Sequence, residues 1–221
     1  MTCLERDRPS MIYLHGFASS PASAKAQYLG DRLREAGITV AIPDLNQDDF
    51  SHLTLTRQLQ QVQEILATAS SPVTLIGSSF GGLTAAWLAE QAPTVDRLVL
   101  LAPAFQFLDH WLPRLGADQV AHWQSTGYLQ VYHYTAQAHL PLHYGFITDA
   151  QTYDQRHLKR SLPTLILHGR SDEVIPLSAS RAYAGDRPWV SLVELDDDHS
   201  LGKVQPQLWQ AIQEFCGIPD A

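Results

Sequence analysis

The 221-residue chain is short of positive charge, of cysteine and of long apolar stretches. Fifteen lysines and arginines stand against twenty-three aspartates and glutamates, a formal net charge of −8. Nucleic-acid binding draws on clustered Lys and Arg to neutralise phosphates, so no nucleic-acid partner is expected. An anionic membrane surface finds equally little to attract it. The two cysteines, Cys3 and Cys216, are too few for a disulfide scaffold. A bridge between them is conceivable, because chain termini tend to lie close together. Two thiols in a chain of this size point rather to a reduced compartment. No run of about 18 apolar residues suggests a membrane span. The first ten residues are polar and charged, without the apolar stretch of a secretory signal. The expectation is a cytoplasmic protein.

What is present is an ordinary globular composition, 45% hydrophobic and 17% charged. The length suits one large core, so residues 1–221 are read as one domain. Short apolar runs alternate with amphipathic segments, the way a parallel α/β sheet is written. Strands are expected at Met11–Leu14, Thr39–Ile42, Val73–Ile76, Leu98–Leu101, Thr164–Leu167 and Val190–Val193. Most are continuous apolar runs, as a sheet covered by helices on both faces requires. Ser23–Ala36 carries Tyr28, Leu29 and Leu33 at helical spacing and stops at Gly37. Leu55–Ala69 puts Leu59, Val62, Ile65 and Leu66 on one face, and Phe80–Gln91 and Gln205–Phe215 read as further helices. The fold class is α/β, with about six mainly parallel central strands.

Residues 103–162, after the fourth strand, break that rhythm and are too many for a simple crossover. Aromatic residues and histidines crowd them. Alternation over Tyr128–Tyr134 and Leu140–Ile147 suggests a hairpin. The segment is expected to be an insertion that caps the sheet. Phe105, Trp111 and Tyr144 are candidates for lining a substrate pocket, although such rings serve equally as the cap's own small core.

Gly77-Ser78-Ser79-Phe80-Gly81 fits G-x-S-x-G at the junction of an apolar strand and a helix, the context that gives this motif meaning. A tight strand-to-helix turn lifts the Ser79 oxygen above the sheet edge, and the helix N-terminus favours developing negative charge. Ser78 is in the wrong register for that turn. Leu14-His15-Gly16-Phe17-Ala18 follows the first strand, where a second oxyanion donor is needed. The donors would be the backbone N–H groups of Phe17 and Phe80, with His15 bonding locally. Capping serines and a generic strand-to-helix turn are the plainer alternatives for these two segments.

The partners should follow at later strand ends, in the order serine, acid, histidine. Asp172 lies a few residues past Leu167, and His199 follows Val193 ahead of the last helix. A serine needs an imidazole to take its proton, and the imidazole needs a carboxylate to hold its tautomer. Glu173 and Asp198 are alternative acids. Among ten histidines, a surface-loop role is the bland reading of His199, and Asp196–Asp198 reads equally as a solvated turn. The conjunction of four features at C-terminal strand ends carries the catalytic reading. His139 and His143 stand four apart, but Pro141 between them argues against a helix and no further ligand completes a set. No metal and no cofactor are expected.

Tyr13-Leu14-His15-Gly16-Phe17-Ala18-Ser19-Ser20-Pro21 continues through Ser23-Ala24-Lys25-Ala26 and is joined by Gly77–Gly82, the Asp172 loop and Asp198-His199-Ser200. Together these resemble the small bacterial α/β-hydrolases of the YqiA-like esterase group over nearly the whole length. The resemblance implies a cofactor-free esterase or acyl-thioesterase, with nucleophile, acid and base on Ser79, Asp172 and His199. The insertion looks longer than the compact members of that group carry, so substrate range is not transferred. The resulting expectation is a serine hydrolase cleaving small acyl esters or thioesters. The same triad would serve a peptidase or lactonase, and a catalytically silent binding or scaffolding module is the reading from another class. Neither the substrate nor the oligomeric state is written in these motifs.

Overall fold

The computed structural model describes residues 10–69 and 72–219; Cys3, and with it any Cys3–Cys216 bridge, lies outside the described residues. In chain order the elements begin β1 (Met11–Leu14), α1 (Ala24–Glu35), β2 (Val40–Ala41), α2 (Leu55–Thr68), β3 (Val73–Ser78), α3 (Phe80–Gln91) and β4 (Val95–Leu101). The inserted segment contributes α4 (Phe107–Leu115), α5 (Ala117–Thr126), β5 (Tyr128–His133), β6 (Ala138–His143) and α6 (Gly145–Ala150). Then come β7 (Thr164–Gly169), α7 (Leu177–Gly185), β8 (Val190–Leu195) and α8 (Gln205–Cys216).

β1–β4, β7 and β8 form one six-stranded sheet in the order β2-β1-β3-β4-β7-β8, with every neighbouring pair parallel. The chain steps outward from β1 to β2, then crosses back to lay β3 on the other side of β1. Such a reversal opens a crevice at the carboxyl ends of the two strands, where open α/β sheets bind ligands.

Both sheet faces are buried, which is why the strands read as unbroken apolar runs. Ile12, Leu14, Leu75, Leu98, Leu100 and Ile166 pack on one side with α2, α3 and the inserted segment. Met11, Tyr13, Ile76, Val99, Leu101, Leu165 and Leu167 pack on the other with Leu29 and Leu33 of α1 and Leu208, Trp209 and Ile212 of α8. α3 is buried on nearly every side, from Phe80 through Ala89. β2 is shorter than Thr39–Ile42, because it is an edge strand paired only to Met11 and Ile12 of β1 and is followed by Pro43. Among the described residues no helix is long and apolar enough to cross a membrane.

Within the insertion β5 and β6 pair antiparallel, with Tyr128 opposite His143. The expected second strand over Leu140–Ile147 is therefore displaced. Past His143 no partner strand remains, and residues 145–150 coil into α6, burying Phe146 and Ile147. The buried Trp123 of α5 donates its indole N–H to the Leu142 carbonyl at 2.9 Å, closing α5 onto the hairpin.

Two polar ties hold the insertion to the sheet's helices. Asp149 accepts the Thr56 N–H at 3.0 Å and the Thr56 hydroxyl at 2.5 Å, in the first turn of α2. Arg160 donates to the carbonyls of Ala89, Ala92, Pro93 and Val95, capping the C-terminus of α3 where a cation is favoured. Arg160→Met leaves those carbonyls without the guanidinium, and the expected loss is about 2–3 kcal/mol in urea unfolding.

Candidate active site

Ser79 closes β3 and caps α3 with φ 53° and ψ −117°, a conformation that side-chain-bearing residues rarely adopt. Such a backbone costs on the order of 1–3 kcal/mol and persists only when its surroundings over-determine it. Here the Ser79 N–H donates to the Leu101 carbonyl at 2.8 Å, and the Ser79 carbonyl accepts from Ala104 at 3.0 Å and Gly82 at 2.9 Å. Gly77 and Gly81 make the turn possible. A Cβ on Gly81 would collide with the Leu14 and His15 carbonyl oxygens, and one on Gly77 with the Gly81 carbonyl. The turn thus lies directly on the loop that leaves β1.

That loop brings its own amide close. The Cβ position of Gly16 is 3.3 Å from the Ser79 Cβ and 3.9 Å from its Oγ, so the Gly16–Phe17 peptide runs beside the serine. His15 sets the plane of this peptide. Its Nε2 accepts the Leu45 N–H at 2.9 Å, which leaves the proton on Nδ1, donated to the Gly16 carbonyl at 2.9 Å. Burial pushes the His15 pKa down despite the Gly16 carbonyl and the nearby Asp44 carboxylate, favouring this neutral form. On the other side, Phe80 opens α3, and first-turn N–H groups have no acceptor within their own helix. The aligned peptides of α3 add positive potential there.

The Ser79 Oγ lies 2.9 Å from His199 Nε2, and His199 Nδ1 lies 2.7 Å from Asp172 Oδ2. A carboxylate only accepts, so Nδ1 holds the proton and Nε2 is open to the serine hydroxyl. The Asp172 carboxylate is fully buried, at 0% exposure, yet well supplied with donors. Its Oδ1 accepts the Val174 and Ile175 N–H groups, both at 2.8 Å, and its Oδ2 lies 3.1 Å from His168 Nε2. Burial acts to raise the Asp172 pKa. The hydrogen bonds from His168, His199 and Ile175 outweigh it and hold the carboxyl well below the usual carboxylate range. Of the alternative acids, Glu173 is exposed and Asp198 instead accepts the Ser200 N–H and hydroxyl.

The three pocket candidates part company. Trp111 packs edge-on to Phe17 at 5.5 Å, in a ring cluster with Phe107 and Phe146. Tyr144 lies one ring further out, against Trp123 at 5.5 Å. Phe105 goes elsewhere, buried and stacked on Tyr183 of α7 at 4.1 Å. His139 and His143 stand on β6 with no third ligand, and no group of three or more His, Cys, Asp or Glu that could hold a metal occurs among the described residues.

Two residues escaped assignment from the sequence. His168 is fully buried at the end of β7, bonded to Ser180 at 2.8 Å and to the Ile175 carbonyl at 3.0 Å, and steadies Asp172 from behind. Lys25 donates from α1 to the Ser78 Oγ at 3.0 Å. Its spacing with Leu29 and Leu33, four and eight residues on, placed it on the apolar face of the helix and was a usable signal.

Gly81→Ala forces a methyl into the β1 loop and is expected to cost about 3 kcal/mol in urea unfolding, with loss of the Ser79 turn. Burial pushes the Lys25 pKa from its ordinary 10.5 down to about 8, against the pull of Asp172, Asp197 and Asp198. The folded chain therefore sheds this proton before the unfolded chain does. Across that interval the unfolded state binds more protons, so this group's contribution to stability rises with pH. Lys25→Met should remove that slope, read as the difference between the two proteins' unfolding free energies against pH.

Solved structures similar to this one include mouse alpha/beta hydrolase domain-containing protein 10, with TM-score 0.79, 22% identity, and coverage of 95% of this chain and 90% of that one. Est1E from Butyrivibrio proteoclasticus with ferulic acid bound has TM-score 0.80 and 21% identity over 96% of this chain and 89% of its own. A monoacylglycerol lipase from Paleococcus ferrophilus has TM-score 0.73 and 17% identity over 94% and 95%. At such identities the shared property is the fold, and it is the α/β-hydrolase fold. The profile of an uncharacterised protein family, UPF0227, matches residues 10–216, and in keeping with its YqiA-like motifs the chain belongs to that family.

Proposed function

We propose that this protein is a serine hydrolase of carboxylic acyl esters or thioesters that acts through an acyl-enzyme. The observation that carries the reading is the unbroken chain from Ser79 Oγ through His199 to the buried Asp172, with contacts of 2.9 and 2.7 Å. It starts at a serine on a strained turn beside two backbone amides, the arrangement acyl transfer requires.

His199 Nε2 takes the Ser79 proton as the serine oxygen adds to the substrate carbonyl carbon, and the carbonyl oxygen becomes an anion. The N–H groups of Phe17 and Phe80 receive that anion, aided by the dipole of α3. The intermediate then collapses. The bond to the leaving alcohol or thiol breaks, and His199 returns the proton to it. Water repeats the sequence on the acyl-serine ester, giving its proton to His199 and releasing the acid and Ser79. Asp172 stays ionised and bonded to the imidazolium that forms at each step.

Residues 103–162 are the cap over this centre. The rings of Phe107, Trp111 and Phe146 against Phe17 favour an apolar or aryl acyl group. The likeness to Est1E, which holds ferulic acid, and to a monoacylglycerol lipase supports carboxylic ester chemistry.

A chain-length series of p-nitrophenyl esters and acyl-CoA thioesters tests the reading. Ser79→Ala should lower turnover by about 10⁴-fold or more, and Asp172→Asn by about 10⁴-fold, with substrate binding largely kept. Wild type that hydrolyses none of them and takes no fluorophosphonate label on Ser79 would leave a binding module as the better account. Trp111→Ala should cut kcat/KM for long or aryl acyl groups by about tenfold relative to acetate, as the ratio of specificity constants reads directly.

A further inference from the structure

The loop that delivers His199 is dense in negative charge. Asp197 and Asp198 precede it in the chain, and Asp172 is bonded to it. A general base must be neutral to act, so the charges held near it bear on how it works. A cation reaches in from α1. Lys25, in the first turn of α1, extends its ammonium to the Ser78 hydroxyl at 3.0 Å. Ser78 belongs to β3 and directly precedes the nucleophile turn.

The surroundings of that ammonium are specific. Tyr13 of β1 hydrogen-bonds the same Ser78, and burial pushes the phenol's pKa up, so it stays neutral. Asp172, Asp197 and Asp198 all act on the ammonium electrostatically, although burial pulls its pKa down to about 8. Asp197 is itself buried, with 4% exposure, and its oxygens accept backbone N–H groups of Asp198 and Lys203 at 2.8 Å. Those donors carry no formal charge. The Lys203 side chain, the cation of the same loop, acts on the exposed Asp198.

We propose that Lys25 is a positioning residue of the acid–base pair: pegged to Ser78 behind the nucleophile turn, its ammonium offsets the carboxylates around His199 and keeps the imidazole available as a neutral base. This rests on the reading of Ser79, His199 and Asp172 as the reacting groups. It also gives Ser78 a task, since a serine in the wrong register for attack becomes the peg that fixes the cation.

The test compares wild type, Lys25→Met and Lys25→Arg in two measurements. One is kcat/KM for p-nitrophenyl acetate from about pH 5 to 9, and the other is the His199 imidazole titration followed by nitrogen NMR, assigned by its loss in His199→Gln. Removing the cation favours the imidazolium, so both midpoints should rise by about 0.5–1 pH unit in Lys25→Met. On the acid limb that is a rate about three- to tenfold lower at a given pH. Lys25→Arg, which keeps the charge, should return both midpoints toward wild type. A midpoint unmoved in Lys25→Met overturns the proposal, as does a shift that Lys25→Arg leaves in place. Lys25→Gln is the second neutral variant where the methionine form does not fold. The NMR titration needs no turnover, so a wild type without esterase activity sinks the hydrolase reading while the role of Lys25 is still decided.

Discussion

The strained turn at Ser79 depends on the absence of two side chains, and much of the site follows from that contact. With no Cβ at Gly77, the end of β3 lies against Gly81 and Gly82, and with none at Gly81 the start of α3 lies against the Leu14 and His15 carbonyls. The same approach brings Gly16 alongside the serine, so the strain, the amide of the β1 loop and the N-terminus of α3 share one origin. Holding Ser79 at φ 53° costs on the order of 1–3 kcal/mol. Four backbone hydrogen bonds and a helix buried on nearly every side make any relaxed alternative costlier still.

A second constraint is electrostatic. Asp172 is buried and ionised, a state that burial alone would forbid, and it persists because two imidazoles and two backbone amides supply donors. His168 is the quiet member of this set. Its Nε2 proton faces both the Ile175 carbonyl and Asp172, and its Nδ1 is turned toward Ser180, so ring and carboxylate fix each other. A chain with only 17% charged residues concentrates several of them within this small volume, where each matters more than on the surface.

The insertion packs into the same core as α2 and α3 and is tied to them by a few polar contacts. Its rings reach the β1 loop through Phe17, while the Tyr134 N–H donates to the Ala18 carbonyl at 3.0 Å. The inserted segment and the β1 loop are thus joined by both ring contacts and a backbone hydrogen bond.

The six strands, and the placement of Ser79, Asp172 and His199 just after strand ends, were legible in the sequence because a doubly covered parallel sheet writes continuous apolar runs. Chemistry at its carboxyl edge must then fall in the residues just after them. Asp172 was preferred in the sequence, with Glu173 and Asp198 as alternatives, and in the folded loop it is Asp172 that meets the His199 imidazole, a contact that depends on local backbone donors. Helices α4 and α5 escaped the sequence reading, because α4 packs on the β1 loop, the start of α3 and α6, and α5 on α4 and the hairpin, rather than on a sheet with a fixed period. The second strand of the hairpin ends at His143 rather than Ile147, because pairing stops where β5 begins. Phe105 found Tyr183 instead of the ring cluster, a choice between equally apolar neighbours that no spacing encodes. The sequence by itself determined the sheet and the strand ends from which function is built, through local periodicity and turn chemistry. The tertiary structure alone decided which charges and rings meet there, because many such contacts join residues remote in the chain, as Lys25 and Ser78 are.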